Sequence, residues 1–441
     1  MTAPPPPAVA PAARPATDRT PRRRLVLVVR ADPVICGHSG EARNLAEVAL
    51  TRGFNEVRIL TWPIERLQAS GLPLKPLETV LPYSPGITVE RPGPVGDYRV
   101  PDGRYLAGLT GRLVELFTDG AATVAMSLYL SPHTLAVTDA VQVARAAGLP
   151  GQVITIAEAV GSDVTNVVRS CLETGRYGAA AHLLASYLGN DVCVAVSAYT
   201  RELILTEAAD LDAHIGTSFA PRLEERIEIS YPAVDTSAYL DRDPAETARV
   251  LAGRGLEPDG YVLFLSRLAA AKGADDLIDA FARSRSAERV RLVLAGTGPD
   301  AEHLRAHARA CDVADRIDFL EDVDDAEKPH LMAASAAYAL PSKPLPEFTE
   351  TFGIALVEKM LAGGGPVITT ATGGIGEAVG DTAMIVPVED PGALADALDR
   401  AVAMSAPERE AWQRRARDHG MQFDRAAVFD RLFGRLTVPA A

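Results

Sequence analysis

Short runs of branched and aliphatic residues recur along the chain, each followed by a turn and a helical segment. Leu25-Val26-Leu27-Val28-Val29, Val57-Arg58-Ile59-Leu60, Thr123-Val124-Ala125-Met126, Val153-Ile154-Thr155, Val192 to Val196 and Ile227-Glu228-Ile229 form one series. Tyr261-Val262-Leu263-Phe264-Leu265, Arg291 to Ala295, Ile317 to Leu320, Tyr338-Ala339-Leu340 and Ile385-Val386 form a second. Apolar runs this short fit strands buried on both faces, and the helices between them provide the crossovers that parallel pairing needs. The alternation predicts α/β architecture, mostly parallel sheets with helices on both faces. Between the series, Asp241 to Glu257 is acidic and helical, and a fresh strand begins at Tyr261. A chain of 441 residues exceeds one ordinary core. The break is therefore read as a domain boundary, giving domains at 24–240 and 241–418. Residues 1–23, rich in Pro and Ala, are read as a disordered tail, and 419–441 as a terminal segment with an amphipathic helix from Phe423 to Phe433.

Composition narrows the partners. A net charge of −14 argues against nucleic acid and against an anionic membrane surface. No run of about 18 apolar residues exists, so no transmembrane helix is expected. The N-terminal residues lack the apolar core of a signal peptide. Cys36, Cys171, Cys193 and Cys311 are scattered without metal-ligand spacing and read as reduced thiols in a cytoplasmic protein. Arg22-Arg23-Arg24 reads as a solvated strand edge rather than a phosphate contact.

The stretch from Leu340 to Ala378, LPSKPLPEFTETFGIALVEKMLAGGGPVITTATGGIGEA, carries the densest pattern. Thr351-Phe352-Gly353 opens a helix whose buried face is Ile354, Ala355, Leu356, Val357, Met360 and Leu361. Glu350 falls by the helix N-terminus, where unpaired N–H groups and partial positive charge collect. Glu358 follows about two turns, or about 12 Å, further on. Two acids so placed can hold both ends of an elongated polar ligand whose anion rests over the helix start. Glu350, Phe352, Gly353, Glu358, Pro366, Val367, Gly373 and Gly374 together resemble the signature of the retaining glycosyltransferases called family 4. The resemblance implies a GT-B fold: two facing Rossmann-like domains with an interdomain cleft. It implies that Glu350 binds the donor sugar and Glu358 the nucleotide ribose, with Phe352 and Gly353 on the donor side, and that the last helix crosses back to the first domain.

Arg267 and Lys272 lie five residues apart on the loop after a strand. Two cations beside a helix start suit a diphosphate and the charge that grows on it as a leaving group. The pair resembles the same family's pyrophosphate-binding signature. Gly296-Thr297-Gly298-Pro299 also follows a strand and has the look of a dinucleotide turn, although Pro299 disturbs it. In the resembled family such a Gly-x-Gly lines the donor side. Gly37 and Gly40 mark the first strand-to-helix turn, a place for close backbone approach to donor phosphate or acceptor. His133 ends a strand on the ligand-bearing edge, and the resemblance implies a sugar contact for it. His38 is an acceptor-side candidate. Where the family often places a second His, this chain reads Thr155-Ile156-Ala157-Glu158, so Glu158, Ser162 and Asp163 become acceptor candidates. No Asp-x-Asp follows a strand convincingly, so no catalytic metal and no cofactor are expected.

The expected activity is transfer of a glycosyl group, with retention, from a GDP or UDP sugar to a small-molecule acceptor. The segments VVRADPVICGHSGEARNLAEVAL and SLYLSPHT further resemble S-glycosyltransferases of lincosamide antibiotic pathways, which implies a thiol acceptor such as ergothioneine. Two other classes stay open: an NAD-dependent oxidoreductase reading Gly296 and Gly298, and a non-catalytic nucleotide-sugar-binding protein. A homodimer is also left open.

Overall fold

The structure, a computed structural model, describes residues 22–96, 103–149, 153–346 and 348–436. The tail reading therefore lies outside the described residues up to residue 21. The first sheet contains β1 (Arg23–Val28), β2 (Glu56–Leu60), β3 (Ile87–Glu90), β4 (Ala122–Leu128), β5 (Val153–Ala159), β6 (Val192–Ala195) and β7 (Ile227–Ile229). The second contains β8 (Tyr261–Leu265), β9 (Arg291–Ala295), β10 (Ile317–Leu320), β11 (Ala337–Leu340), β12 (Val367–Thr370) and β13 (Ala383–Val386). Every pairing is parallel. The orders are β3-β2-β1-β4-β5-β6-β7 and β10-β9-β8-β11-β12-β13. In each sheet the winding reverses beside the first strand, at β1/β4 and β8/β11, and ligands of such sheets gather at the carboxyl ends there.

Burial explains the apolar runs. Leu25, Leu27 and Val29 pack on one face of the first sheet while Val26 and Val28 pack on the other. Arg24 is the exception, fully buried in a strand interior. Its guanidinium lies 2.8 Å from the Glu56 carboxylate and 2.6 Å from that of Asp119. The expected solvated edge is thus a buried ion network, because β1 is central and its start is covered from both sides.

A strand and a helix are among the elements that escape the sequence reading. β3 lies inside the Pro/Gly-rich stretch 73–101 and pairs only with β2, so four residues suffice as a sheet edge. The helix Ala406–Gly420 buries only Ala416 and Gly420. It is held instead by a Ser405/Glu408 capping box and by Trp412 Nε1 donating to the Thr382 carbonyl at 2.7 Å.

The chain crosses between domains twice, and the crossings lie side by side. Val234 N donates to the Phe423 carbonyl and Arg425 N to the Val234 carbonyl, both at 2.9 Å. Thr236 Oγ1 donates to Asp424 at 2.6 Å, and that carboxylate also caps the helix Arg425–Phe433. This helix packs on the first domain: Phe429 and Phe433 meet Phe54 edge-on at 6.0 and 6.5 Å. Among the described residues no helix is long and apolar enough to cross a membrane, and all four cysteines are free.

Candidate functional site

The loop after β8 carries Arg267 and ends in a 3-10 turn, Ala270–Lys272. Gly273 follows with φ 69, and a Cβ there would stand 2.0 Å from the Pro341 carbonyl oxygen. Only glycine lets this turn lie against the loop after β11. Lys272 is mostly buried and its ammonium is ion-paired with the Glu350 carboxylate. The Lys272 Nζ also lies 4.9 Å from the centre of the Phe348 ring, and the Arg267 guanidinium 5.7 Å from it. Arg267 is exposed and, among the described residues, has no ion-pair partner. Arg267, Lys272 and Glu350 therefore converge on one aromatic face, with one cation committed to the acid and one open.

Backbone contacts fix this convergence. At Gly296 (φ 133) an added Cβ would sit 2.0 Å from the Ser266 carbonyl oxygen, and at Gly298 2.1 Å from that of Leu268. Leu268 N donates to Thr297 O at 2.9 Å and Asp300 N to Leu268 O at 3.1 Å. Gly-x-Gly thus clamps the Arg267 loop. Gly373 and Gly374 press on the carbonyls of Glu350 and Thr351 in the same way, each with a notional Cβ at 2.0 Å. Gly374 N donates to Glu350 O at 2.9 Å.

The helix Ile354–Ala362 starts after Gly353, whose φ is 101. The helix therefore begins three residues later than Thr351, and Glu350 lies outside it with its Cγ 3.9 Å from where a Gly353 Cβ would be. Phe352 was expected on the donor side. Its ring is buried instead, stacked on Tyr231 at 5.5 Å and edge-on to Phe423 at 5.0 Å, so it packs at the crossing. Glu358 accepts from Lys328 Nζ at 2.8 Å. Burial disfavours the Lys328 charge, but Glu358, Tyr239 and Asp325 outweigh it and raise the ammonium well above its usual range.

The strand-end loops of the two sheets face one another. A Cβ on Gly37 would touch Ile354 Cδ1 at 3.0 Å, and one on Gly161 would strike Thr351 Cγ2 at 2.1 Å. The Glu377 carboxylate accepts from Ala198 N at 2.8 Å and Tyr199 N at 3.1 Å, so an acid of the second domain caps the helix Ala198–Ile215 of the first. Lys75 reaches across to Asp325 at 2.6 Å. Gly40 has open space around it.

On the first domain's edge the predicted residues divide. His133 is buried: Trp62 Nε1 donates to its Nε2 at 3.2 Å, and its Nδ1 donates to the Leu128 carbonyl at 2.7 Å. Burial pushes it down to about 3, so it is neutral, and both nitrogens are engaged within the fold. Asp163 accepts from the N–H groups of Leu130 (2.9 Å), Val160 (3.1 Å) and Gly161 (2.9 Å), which makes it a loop clamp rather than an acceptor contact. His38 keeps an unpartnered buried Nδ1 and is pushed down to about 4, first by burial and then by Arg30. Arg30 also lies 4.7 Å above the ring of Tyr129, a non-glycine residue with φ 97. Glu158 is fully buried, and neither carboxyl oxygen has a hydrogen-bond partner. Burial, then Glu41 and Asp163, push it well up. Glu41, which the sequence reading missed, is pushed up to about 7 by the same burial. Glu41, Phe348 and Glu377 carried no motif of their own. Their only signal was position: one turn into the first helix, two residues before Glu350, and three after Gly374.

Residues 253–419 match the family model for glycosyl transferases group 1. The GDP-mannose-dependent alpha-(1-6)-phosphatidylinositol monomannoside mannosyltransferase of Mycobacterium tuberculosis is 33% identical over 233 residues, covering 50% of this chain and 57% of that protein. The D-inositol 3-phosphate glycosyltransferase of Stackebrandtia nassauensis is 31% identical over 223 residues, 48% of each chain. The match thus spans about half the length of these curated relatives. Anabaena HepE in complex with UDP superposes with a TM-score of 0.65 at 18% identity, over 93% of this chain and 98% of that one. The second domain is thus similar to the group 1 glycosyl transferases, and the whole chain shares the two-domain GT-B fold of the solved structure.

Proposed function

We propose that this protein transfers a glycosyl group from a GDP or UDP sugar to a small-molecule acceptor, with retention at the anomeric carbon. The observation that carries this reading is the meeting of Arg267, Lys272 and Glu350 around Phe348. A diphosphate would take the open Arg267 and compete with Glu350 for Lys272. The released carboxylate is then free to accept from sugar hydroxyls, while the N–H groups at the start of Ile354–Ala362 add positive potential. Arg267, Lys272 and these N–H groups oppose the charge that builds on the departing diphosphate. Glu358 is the ribose candidate, held in place by Lys328.

Retention through a front-face route fits the pairing of the acids. In the donor complex the released Glu350 is engaged by sugar hydroxyls and Glu358 stays paired with Lys328, so neither acid is assigned as nucleophile. The leaving phosphate oxygen takes the acceptor proton. The acceptor side argues for a group that needs little activation. His38 and His133 are neutral, and Glu158 holds its proton. A thiol such as ergothioneine meets that requirement, as the first-domain resemblance implies. The NAD reading loses its ground because Gly296 and Gly298 are consumed by contacts to the Arg267 loop.

Purified protein incubated with GDP and UDP sugars and candidate thiols, followed by mass spectrometry, tests the reading. Turnover is expected in wild type and lost in Arg267→Ala, Lys272→Ala and Glu350→Ala. Wild-type rates in those variants, or stabilisation by NAD and by neither UDP nor GDP in thermal shift, overturn it.

A further inference from the structure

Asp279, His307 and Cys311 take no part in the site above. Asp279 lies in the helix Ala274–Arg283; His307 lies in the helix Ala301–Arg309, with Cys311 one turn further on. One ligand atom from each, a carboxylate oxygen, a ring nitrogen and the sulfur, falls within 4.8 Å of the others. The contact between His307 Nε2 and Asp279 Oδ1 is already 2.7 Å. All three side chains are partly buried, so solvent reaches the cluster while neighbouring atoms limit its freedom. The His303 ring, one turn before His307 on the same helix, lies 6.3 Å from it.

We propose that Asp279, His307 and Cys311 bind one borderline divalent transition-metal ion, of which Zn²⁺ is the type, with His303 or water at the fourth position. The donor set decides the class of ion. A thiolate, an imidazole and a carboxylate are the three ligand types that zinc takes, at bond lengths of about 2.0–2.3 Å. Calcium and magnesium require oxygen cages and gain nothing from sulfur. Tetrahedral bonds of those lengths put neighbouring ligand atoms about 3.5 Å apart. Binding requires the widest separation to close by roughly 1 Å and the 2.7 Å Asp279–His307 contact to open by somewhat less. His307 and Cys311 are four positions apart, and their ligand atoms lie on the side that faces Asp279. The scattered spacing of the cysteines hides the site, because its third ligand comes from another helix.

The position suggests a structural staple. Helix Ala274–Arg283 continues directly from Lys272 and Gly273, and helix Ala301–Arg309 from the Gly296-to-Asp300 turn that clamps the Arg267 loop. An ion joining these helices ties together the roots of both cationic loops. It needs no part in group transfer.

Untagged full-length protein, freed of metal with chelator, is titrated with Co²⁺ and followed by absorbance. One equivalent is expected to produce tetrahedral visible bands and a thiolate-to-cobalt charge-transfer band, both displaced by Zn²⁺. Zn²⁺ is expected to raise the melting temperature of the apo-protein by several degrees. Cys311→Ser is expected to lose the charge-transfer band, and His307→Ala and Cys311→Ser each to weaken binding more than tenfold and to abolish the Zn²⁺ shift. Circular dichroism and an unchanged thermal response to UDP and GDP establish that the variants are folded. Absence of saturable binding in wild type, or a charge-transfer band retained in Cys311→Ser, overturns the proposal.

Discussion

Lys272 and Glu350 form the one contact of the site in which stability and activity can be set against each other. Their side chains keep only 10% and 13% of their exposure. Removing one member of a well-buried pair strands the other charge, at a cost of about 3–5 kcal/mol. The residual exposure favours the lower figure. Lys272→Met, which keeps most of the side-chain volume, should therefore destabilise by about 3 kcal/mol. At about 2–4 °C per kcal/mol for a domain of this size, melting falls by about 6–12 °C. The double variant Lys272→Met/Glu350→Gln removes both charges and should recover about 2 kcal/mol of that loss, a favourable coupling of the size neighbouring groups display. Catalysis should follow the opposite logic. Lys272→Met and the double variant alike lose the cation proposed to meet the leaving diphosphate, at about 10²–10³ in kcat/KM. The assay pairs differential scanning fluorimetry with donor turnover on wild type, Lys272→Met, Glu350→Gln and the double variant. A double variant no more stable than Lys272→Met, or a Lys272→Met enzyme within twofold of wild type, refutes the reasoning.

Three more outcomes are expected. Gly374→Ala, with a φ any residue accepts but a carbonyl 2.0 Å from the new Cβ, should push the Glu350–Thr351 segment away, costing about 1–3 kcal/mol and lowering donor affinity measured calorimetrically. Glu377→Ala should cost about 0.5–2 kcal/mol by uncapping the helix Ala198–Ile215, and small-angle scattering should register a looser domain arrangement. The Glu41–Glu158 pair sets a pH dependence. Both acids are raised by burial, Glu41 to about 7 from 4.5, so the folded state keeps protons that the unfolded chain has released. Their stabilisation is complete below pH 4.5 and is lost as pH rises through about 7. Glu158→Gln removes an acid that the fold holds protonated, so as pH rises from 5 to 8 its melting temperature should fall less than that of wild type. Parallel curves over that range count against the buried pair.

The parallel sheets were legible because their strands are short and apolar on both faces, so that period and length agree. The motif residues were legible as a set, although what holds them was not. Gly296 and Gly298 look alike in a dinucleotide turn and in a backbone clamp; only the carbonyls of Ser266 and Leu268 at 2.0 and 2.1 Å separate the two. His133 looked like a ligand-facing side chain because it ends a strand. The left-handed turn at Tyr129 swings it inward onto Trp62 and the Leu128 carbonyl. Phe352 looked like part of the donor site because it lies between two site residues, but it serves the crossing with Tyr231 and Phe423. In each case what spacing along a chain leaves open is direction.

The two halves of the site are built by different physics, and this difference bears on how the activity can change. On the donor side Gly273, Gly296, Gly298, Gly373 and Gly374 bring backbone against backbone at distances no side chain tolerates. Geometry there is fixed by main-chain atoms, and almost any substitution at those glycines moves Arg267, Lys272 or Glu350 together. On the proposed acceptor side the groups are Arg30, His38, Glu41 and Glu158, whose placement depends on side chains and, for the last three, whose charge depends on burial. A single exchange at Glu158 or His38 changes polarity without disturbing a backbone contact. Acceptor preference should therefore shift under substitutions that leave donor use intact, while donor use should fail outright when its glycines change. A panel of His38→Gln, Glu41→Gln and Glu158→Gln variants, read for acceptor KM and donor KM separately, measures the asymmetry. Equal losses on both sides would mean that the halves are coupled through the Gly37–Ile354 and Gly161–Thr351 contacts.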